Sequence, residues 1–165
     1  MLVALTLLPT GCQDDSGATQ DELPDAVAEK RSDILSAAKS EDYDALRPLI
    51  DIEVFLSDYG FGRGQPDPVE RWRRLGPKPL ETMGVMLRLG HTVRKTAEGT
   101  LYQWPRFDPD SRAEEITAAD RRLLRTIMTE AELRTLILPE YGYTAPRLGI
   151  LADGTWWFFI LNRAP

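Results

Sequence analysis

The chain has one histidine, His91, and one cysteine, Cys12. A histidine can move protons near neutral pH, and a cysteine can act as a nucleophile, a metal ligand or a point of attachment. Neither stands in a pattern that completes a site. Side-chain metal centres take several His or Cys ligands or a carboxylate cage, and neither HExxH nor CxxC spacing occurs. There is no Gly-x-Ser-x-Gly element, so the familiar nucleophile triads are left with His91 alone as base. Asp108-Pro-Asp110 sets two carboxylates close together, as calcium binding or acid–base work requires, but the other ligands of a calcium loop are missing. We read that pair as a solvated turn. Gly60-Phe-Gly62-Arg-Gly64 is glycine-rich without the Lys-Ser/Thr ending of a phosphate loop, and reads as a loop at a rim. These patterns assign no catalytic residue, no metal ligand and no cofactor.

Binding chemistry is better represented. Arg63, Arg71, Arg73, Arg74 and Lys78 gather around Trp72. Arg71 and Arg74 are neighbours on a helix surface, and paired guanidiniums can hold a carboxylate or phosphate. The alternative is a charged helix face balanced by Asp67 and Glu70. Arg63, Arg71 and Arg74 are retained as candidate binding residues. Tyr102, Trp104 and Tyr143 join them as aromatics that, with His91, could line a cavity. Trp156-Trp-Phe-Phe-Ile160 is apolar on both sides, and we read it as core rather than as a stacking platform.

Before any of this comes a segment of different character. Met1 to Leu8 is apolar, Thr10 and Gly11 are small, and Cys12 is followed by Asp14, Asp15, Asp21, Glu22 and Asp25 with no Lys or Arg among them. The apolar run has the length of a secretory signal core and is far short of the roughly 20 residues that span a bilayer. This order resembles a bacterial lipoprotein signal, in which the cysteine sulfur is acylated and becomes the new N-terminus. The resemblance implies residues 1–11 as a signal peptide and 12–23 as a lipid-anchored acidic tether. A single globular domain over residues 24–165 would follow, placed in the bacterial cell envelope and facing the periplasm or the cell exterior. The formal net charge is −6, and the five acids of the tether region leave only −1 on the remainder. A nearly neutral domain gives no electrostatic case for nucleic acid.

The elements that must position the candidate residues alternate in type. Leu23 to Lys39 has helical spacing, with Val27, Ile34, Leu35 and Ala38 on one face. Ser40 can cap a short helix from Glu41 that reaches Leu46 or Leu49. Asp51 to Leu56 is strand or loop, and Tyr59 to Pro66 is loop. Asp67-Pro68 starts a helix and Gly76-Pro77 stops it; Pro79 starts another, with Leu80, Met83, Met86 and Leu87 inward. His91–Thr96 and Thr100–Trp104 flank Ala97-Glu98-Gly99 as a hairpin. Thr117 can cap Ala118 to Met128, and Thr129-Glu-Ala-Glu132 opens a helix through Leu138. Arg147–Ala152 and Thr155–Leu161 form a second hairpin around Asp153-Gly154. A two-residue turn there puts Gly149 opposite Phe158. The expected fold class is α+β: N-terminal helices, two β-hairpins forming a small antiparallel sheet, and a helical pair between them, with helices on one face of the sheet.

Tyr102-Gln-Trp104-Pro105, Leu46 to Leu49, and the closing run from Tyr141-Gly-Tyr143 through Arg147-Leu-Gly-Ile150 to Asp153-Gly-Thr-Trp156-Trp-Phe-Phe159 are similar to elements of a group of uncharacterised bacterial exported lipoproteins. That resemblance implies no activity. Early helices followed by a sheet are also similar, more loosely, to nuclear transport factor 2-like (cystatin-like) domains. Two functions follow as expectations. One is a non-catalytic envelope lipoprotein, anchored to a membrane through the lipid on Cys12, that binds another envelope component or supports an assembly. The other is a small pocket enzyme or ligand binder on an NTF2-like frame.

Overall fold

The computed structural model describes residues 23–161 apart from 59, 108–110, 139–141 and 145. The expected signal peptide, nearly all of the tether with Cys12, and the Asp108–Asp110 pair lie outside the described residues.

Helix α1 (Asp25–Lys39) follows Pro24 and buries Val27, Ile34 and Ala37. It leads into a 3-10 turn, Asp44–Leu49, whose Pro48 keeps the backbone from forming a full α-helix there. Strands β1 (Leu56–Ser57) and β2 (Gly60–Phe61) come next. Helix α2 (Pro68–Arg74) has Pro68 at its first position, and the Asp67 carboxylate accepts from the Val69 and Glu70 amides at 2.9 and 3.1 Å. Helix α3 (Lys78–Met86) packs against α1, and both lie over the later strand β7. Strands β3 (Thr92–Thr96) and β4 (Gly99–Trp104) make the first hairpin. Helices α4 (Ala118–Leu124) and α5 (Glu130–Arg134) carry capping boxes from Thr117 and Thr129. Strands β5 (Ile137–Leu138) and β6 (Gly142–Tyr143) pair with each other. Strands β7 (Arg147–Leu151) and β8 (Trp156–Ile160) make the second hairpin. Among the described residues no helix is long and apolar enough to cross a membrane.

The fold is α+β. Six strands form one mixed sheet in the order β2-β1-β8-β7-β4-β3, with β1 parallel to β8 and the other neighbours antiparallel. The helices cover one face. There Trp72 stacks on Trp156 at 6.0 Å, and the edges of Phe55 and Phe159 close on Trp72 at 5.9 and 5.3 Å. Offset and edge-on ring contacts of this kind add to the stabilisation from burial alone.

Four expectations need correction. The sheet has six strands, because Gly60 and Phe61, expected as loop, pair with Ser57 and Leu56. The helix expected from Thr129 through Leu138 ends at Arg134, and Ile137–Leu138 is a strand instead. The α4 helix stops at Leu124, short of Met128. The turn after β7 is one residue longer than two, since the Leu151 amide donates to the Thr155 carbonyl at 2.9 Å. Gly149 still faces Phe158, because a bulge in β8 absorbs the extra residue: Ile150 pairs with Trp156 and Gly149 with Phe158. Gly154, at φ +87°, makes the turn possible.

Candidate functional site

The bulge has a chemical consequence. Bulges break the strict alternation of side chains and re-aim one of them. Trp156 points into the helical core, while both Trp157 and Phe158 lie on the opposite, outer face. Their rings sit 5.7 Å apart at 59°. Around them gather Leu101, Leu151, Leu56 and Ile160, so this cluster is built from side chains of the sheet alone. Gly149 is what admits the Phe158 ring. A Cβ at that position would lie 2.4 Å from Phe158 Cε1 and 2.9 Å from Leu101 Cδ1.

Register places charge beside this apolar surface. Arg94 pairs with Leu101, and Arg147 pairs with Ile160, so both arginines share the outer face. Phe61, 60% exposed, pairs with Leu56 and extends the same face to the β2 edge. Arg94, Lys95 and Arg147 line a shallow groove of about 290 Å³ with Trp157 and Phe158 in its floor. No carboxylate lines it among the described residues. Such a surface, cationic with an aromatic floor, can take an anionic group and apolar side chains together.

The residues singled out from sequence are dispersed. Arg63 is exposed and paired with Glu53. Asp67 and Glu70 both pair with Arg47, the Asp67 contact being 2.6 Å, and Glu70 also lies 3.8 Å from Arg73. Burial would raise the Asp67 pKa, and the hydrogen bonds from Arg47 and the helix amides more than reverse it. Arg73 reaches Asp44 at 2.6 Å and lies over the Tyr43 ring. Arg71 and Arg74 are exposed on α2. Trp104 is 1% exposed and Tyr143 2%, both inside the helical core. The Tyr143 hydroxyl donates to the Pro146 carbonyl at 3.0 Å, and burial pushes its pKa up. His91 is half-buried, its ring 5.4 Å from Trp104 and 5.9 Å from the half-buried Tyr102. Of these four, Trp104 and Tyr143 are enclosed in the helical core, while His91 and Tyr102 are half-buried. Among the described residues, no three His, Cys, Asp or Glu side chains group to hold a metal.

Two further features escaped the sequence reading. Arg106 grips Asp120 with both guanidinium nitrogens, Nη1 at 3.0 Å and Nη2 at 2.6 Å. The Thr117 amide and hydroxyl donate to the same carboxylate at 2.8 and 2.7 Å. Burial alone would raise the Asp120 pKa, but these donors hold it below the usual carboxylate range. The pair is a clamp joining the segment after β4 to the start of α4. The second feature is a depression of about 310 Å³ between the start of α3 and the α4–α5 turn, with Lys78 and Glu132 on its wall. Those two attract each other, and Thr129 already satisfies Glu132, so this wall is internally balanced. Arg94 and Arg147 could have been found from the alternation of β3 and β7. The bulge that aims Trp157 left no trace in the sequence pattern.

The chain matches no family model, no curated protein and no solved structure.

Proposed function

We propose that this chain is a non-catalytic lipoprotein of the bacterial cell envelope, held to a membrane by acyl groups on Cys12, with a folded domain that binds another envelope component or supports an assembly. The observation that carries the binding half is the outer sheet face, where the half-buried Trp157 lies over the buried Phe158 in a groove lined by Arg94, Lys95 and Arg147. The bulge sets the half-buried Trp157 on that face, beside Phe158, which is 6% exposed and packed in the sheet's own outer cluster. The anchor half rests on the order of residues 1–22: apolar run, small residues, cysteine, acidic stretch. Several acyl chains on one residue give lasting attachment where one chain is marginal.

Cys12→Ser tests the anchor. The parent chain should fractionate with membranes and carry an acylated N-terminal cysteine by mass spectrometry. The variant should leave the membrane fraction, and unchanged fractionation would overturn lipidation.

A further inference from the structure

We propose that the outer face of the sheet is the docking site of the chain's own acidic N-terminal segment, residues 14–22. This goes beyond the function proposed above and needs no acyl group on Cys12.

Charge argues for it first. The groove is lined by three cations, and Arg94 has no ion-pair partner among the described residues. Residues 14–22 carry Asp14, Asp15, Asp21 and Glu22 with no Lys or Arg, in a chain that is otherwise nearly neutral. The chain thus holds an acidic segment free of Lys and Arg, and this groove is cationic.

Reach argues for it next. A Cβ at Gly154 would lie 3.0 Å from the Ala26 carbonyl, so the first turn of α1 abuts the β7–β8 turn. Leu151, the last residue of β7, belongs to the outer cluster. Chain entering α1 through Leu23 therefore arrives at the end of the sheet where the outer face begins. From Leu151 to Arg147 along β7 is about 13 Å at strand rise. Nine residues of extended chain cover up to about 30 Å. The segment needs only to turn round the sheet end to lie over Trp157 and reach both arginines. Covalent connection raises its effective concentration to the order of millimolar, so weak surface pairs suffice to keep it there. A shallow groove of about 290 Å³ also suits the side chains of an extended segment better than a folded partner.

Trp157 reports on this contact. Trp72, Trp104 and Trp156 are enclosed in the core, so a neutral quencher such as acrylamide reads mainly Trp157. In the full chain at low salt, Trp157 should be shielded. Raising salt to about 1 M, where the Debye length is near 3 Å, should increase quenching and shift emission to the red. The quadruple variant Asp14→Asn, Asp15→Asn, Asp21→Asn, Glu22→Gln should show that state already at low salt. Arg94→Glu with Lys95→Glu should do the same. Combining that pair with Asp14→Lys, Asp15→Lys, Asp21→Lys and Glu22→Lys should restore the shielding. Quenching that ignores both salt and neutralisation overturns the proposal. So does shielding that rises with protein concentration, which assigns the face to a second copy, or shielding that appears only with vesicles of anionic lipid. Failure of the Cys12→Ser test leaves each of these outcomes unchanged, so the two readings fall separately.

Discussion

The two faces of the sheet are built differently, although β8 belongs to both. On the helical face, Trp72 from α2 meets Trp156 and Phe159 from β8, with Phe55 against Trp72 and Trp156. On the outer face, Trp157 and Phe158 are packed by strand residues alone. Cross-strand contacts each contribute a few tenths to about 1 kcal/mol, whereas a fully enclosed aromatic contributes several. Both faces bury apolar side chains, but only the inner one is closed over by helices, and the outer one leaves Trp157 half-exposed. The difference teaches that hydrophobicity along β8 does not sort by position in the sequence. One inserted residue decides which ring serves which face.

Trp72→Ala is the strongest test of the inner half. Trp72 is fully enclosed and touches three other rings. Truncation should cost about 3–5 kcal/mol, by transfer and by the cavity left behind. Urea denaturation should show the midpoint collapse or the chain fail to fold. A loss under about 1 kcal/mol would mean the ring cluster collapses to fill the gap, and that the faces differ less than argued.

The Arg106–Asp120 clamp tests whether the helical pair is bound to the inner half by charge. Removing one partner of a buried pair typically costs about 3–5 kcal/mol. A third of Arg106 reaches solvent, so Asp120→Asn should cost nearer 2 kcal/mol. The dependence on pH has a definite sign. The Asp120 pKa is held below its unfolded value of 3.8, so its contribution is complete above that value. It is lost as pH falls through the folded value. The parent should lose stability in acid faster than Asp120→Asn, measured as denaturant midpoint against pH. Parallel curves would remove the clamp from the account.

The sequence made some of this legible and hid the rest, for physical reasons. Asp67-Pro68, Thr117 and Thr129 announced helix starts because their side chains satisfy amides within the same turn. Gly99 and Gly154 announced both hairpins because their turns need positive φ. Two-residue strands such as β1 and β2 have no periodicity to read, and the glycines beside them mimic loop. The α5 helix and β5 share an apolar run, so only pairing with Gly142–Tyr143 tells strand from helix there. The site was less legible still. Asp67 and Glu70 stand next to Arg71 and Arg74 in sequence, yet in the fold both bind Arg47 from the turn before β1, a contact that sequence spacing does not show. Arg94 and Arg147 come to one face only because β4 pairs with both β3 and β7 and sets those distant strands in one sheet.

Trp157→Ala gives the smallest expected effect and the sharpest contrast, since it removes the same side chain as Trp72→Ala one face away. Trp157 is half-buried, and among the described residues its one ring partner is Phe158. That contact is worth about 0.5–1.5 kcal/mol, and partial burial adds little because the ring remains half in water. The midpoint should fall by the equivalent of about 1–2 kcal/mol, with the cooperative transition intact. If the loss instead matches that of Trp72→Ala, the outer cluster is a second core. The bulge would then exist to stabilise the sheet, and the basic groove would lose its claim as a binding face. If stability is nearly unchanged while salt-sensitive shielding of the groove disappears, measured by hydrogen exchange at the β7 amides, the ring belongs to recognition. Both outcomes use one substitution, and only the second is compatible with a face reserved for a partner.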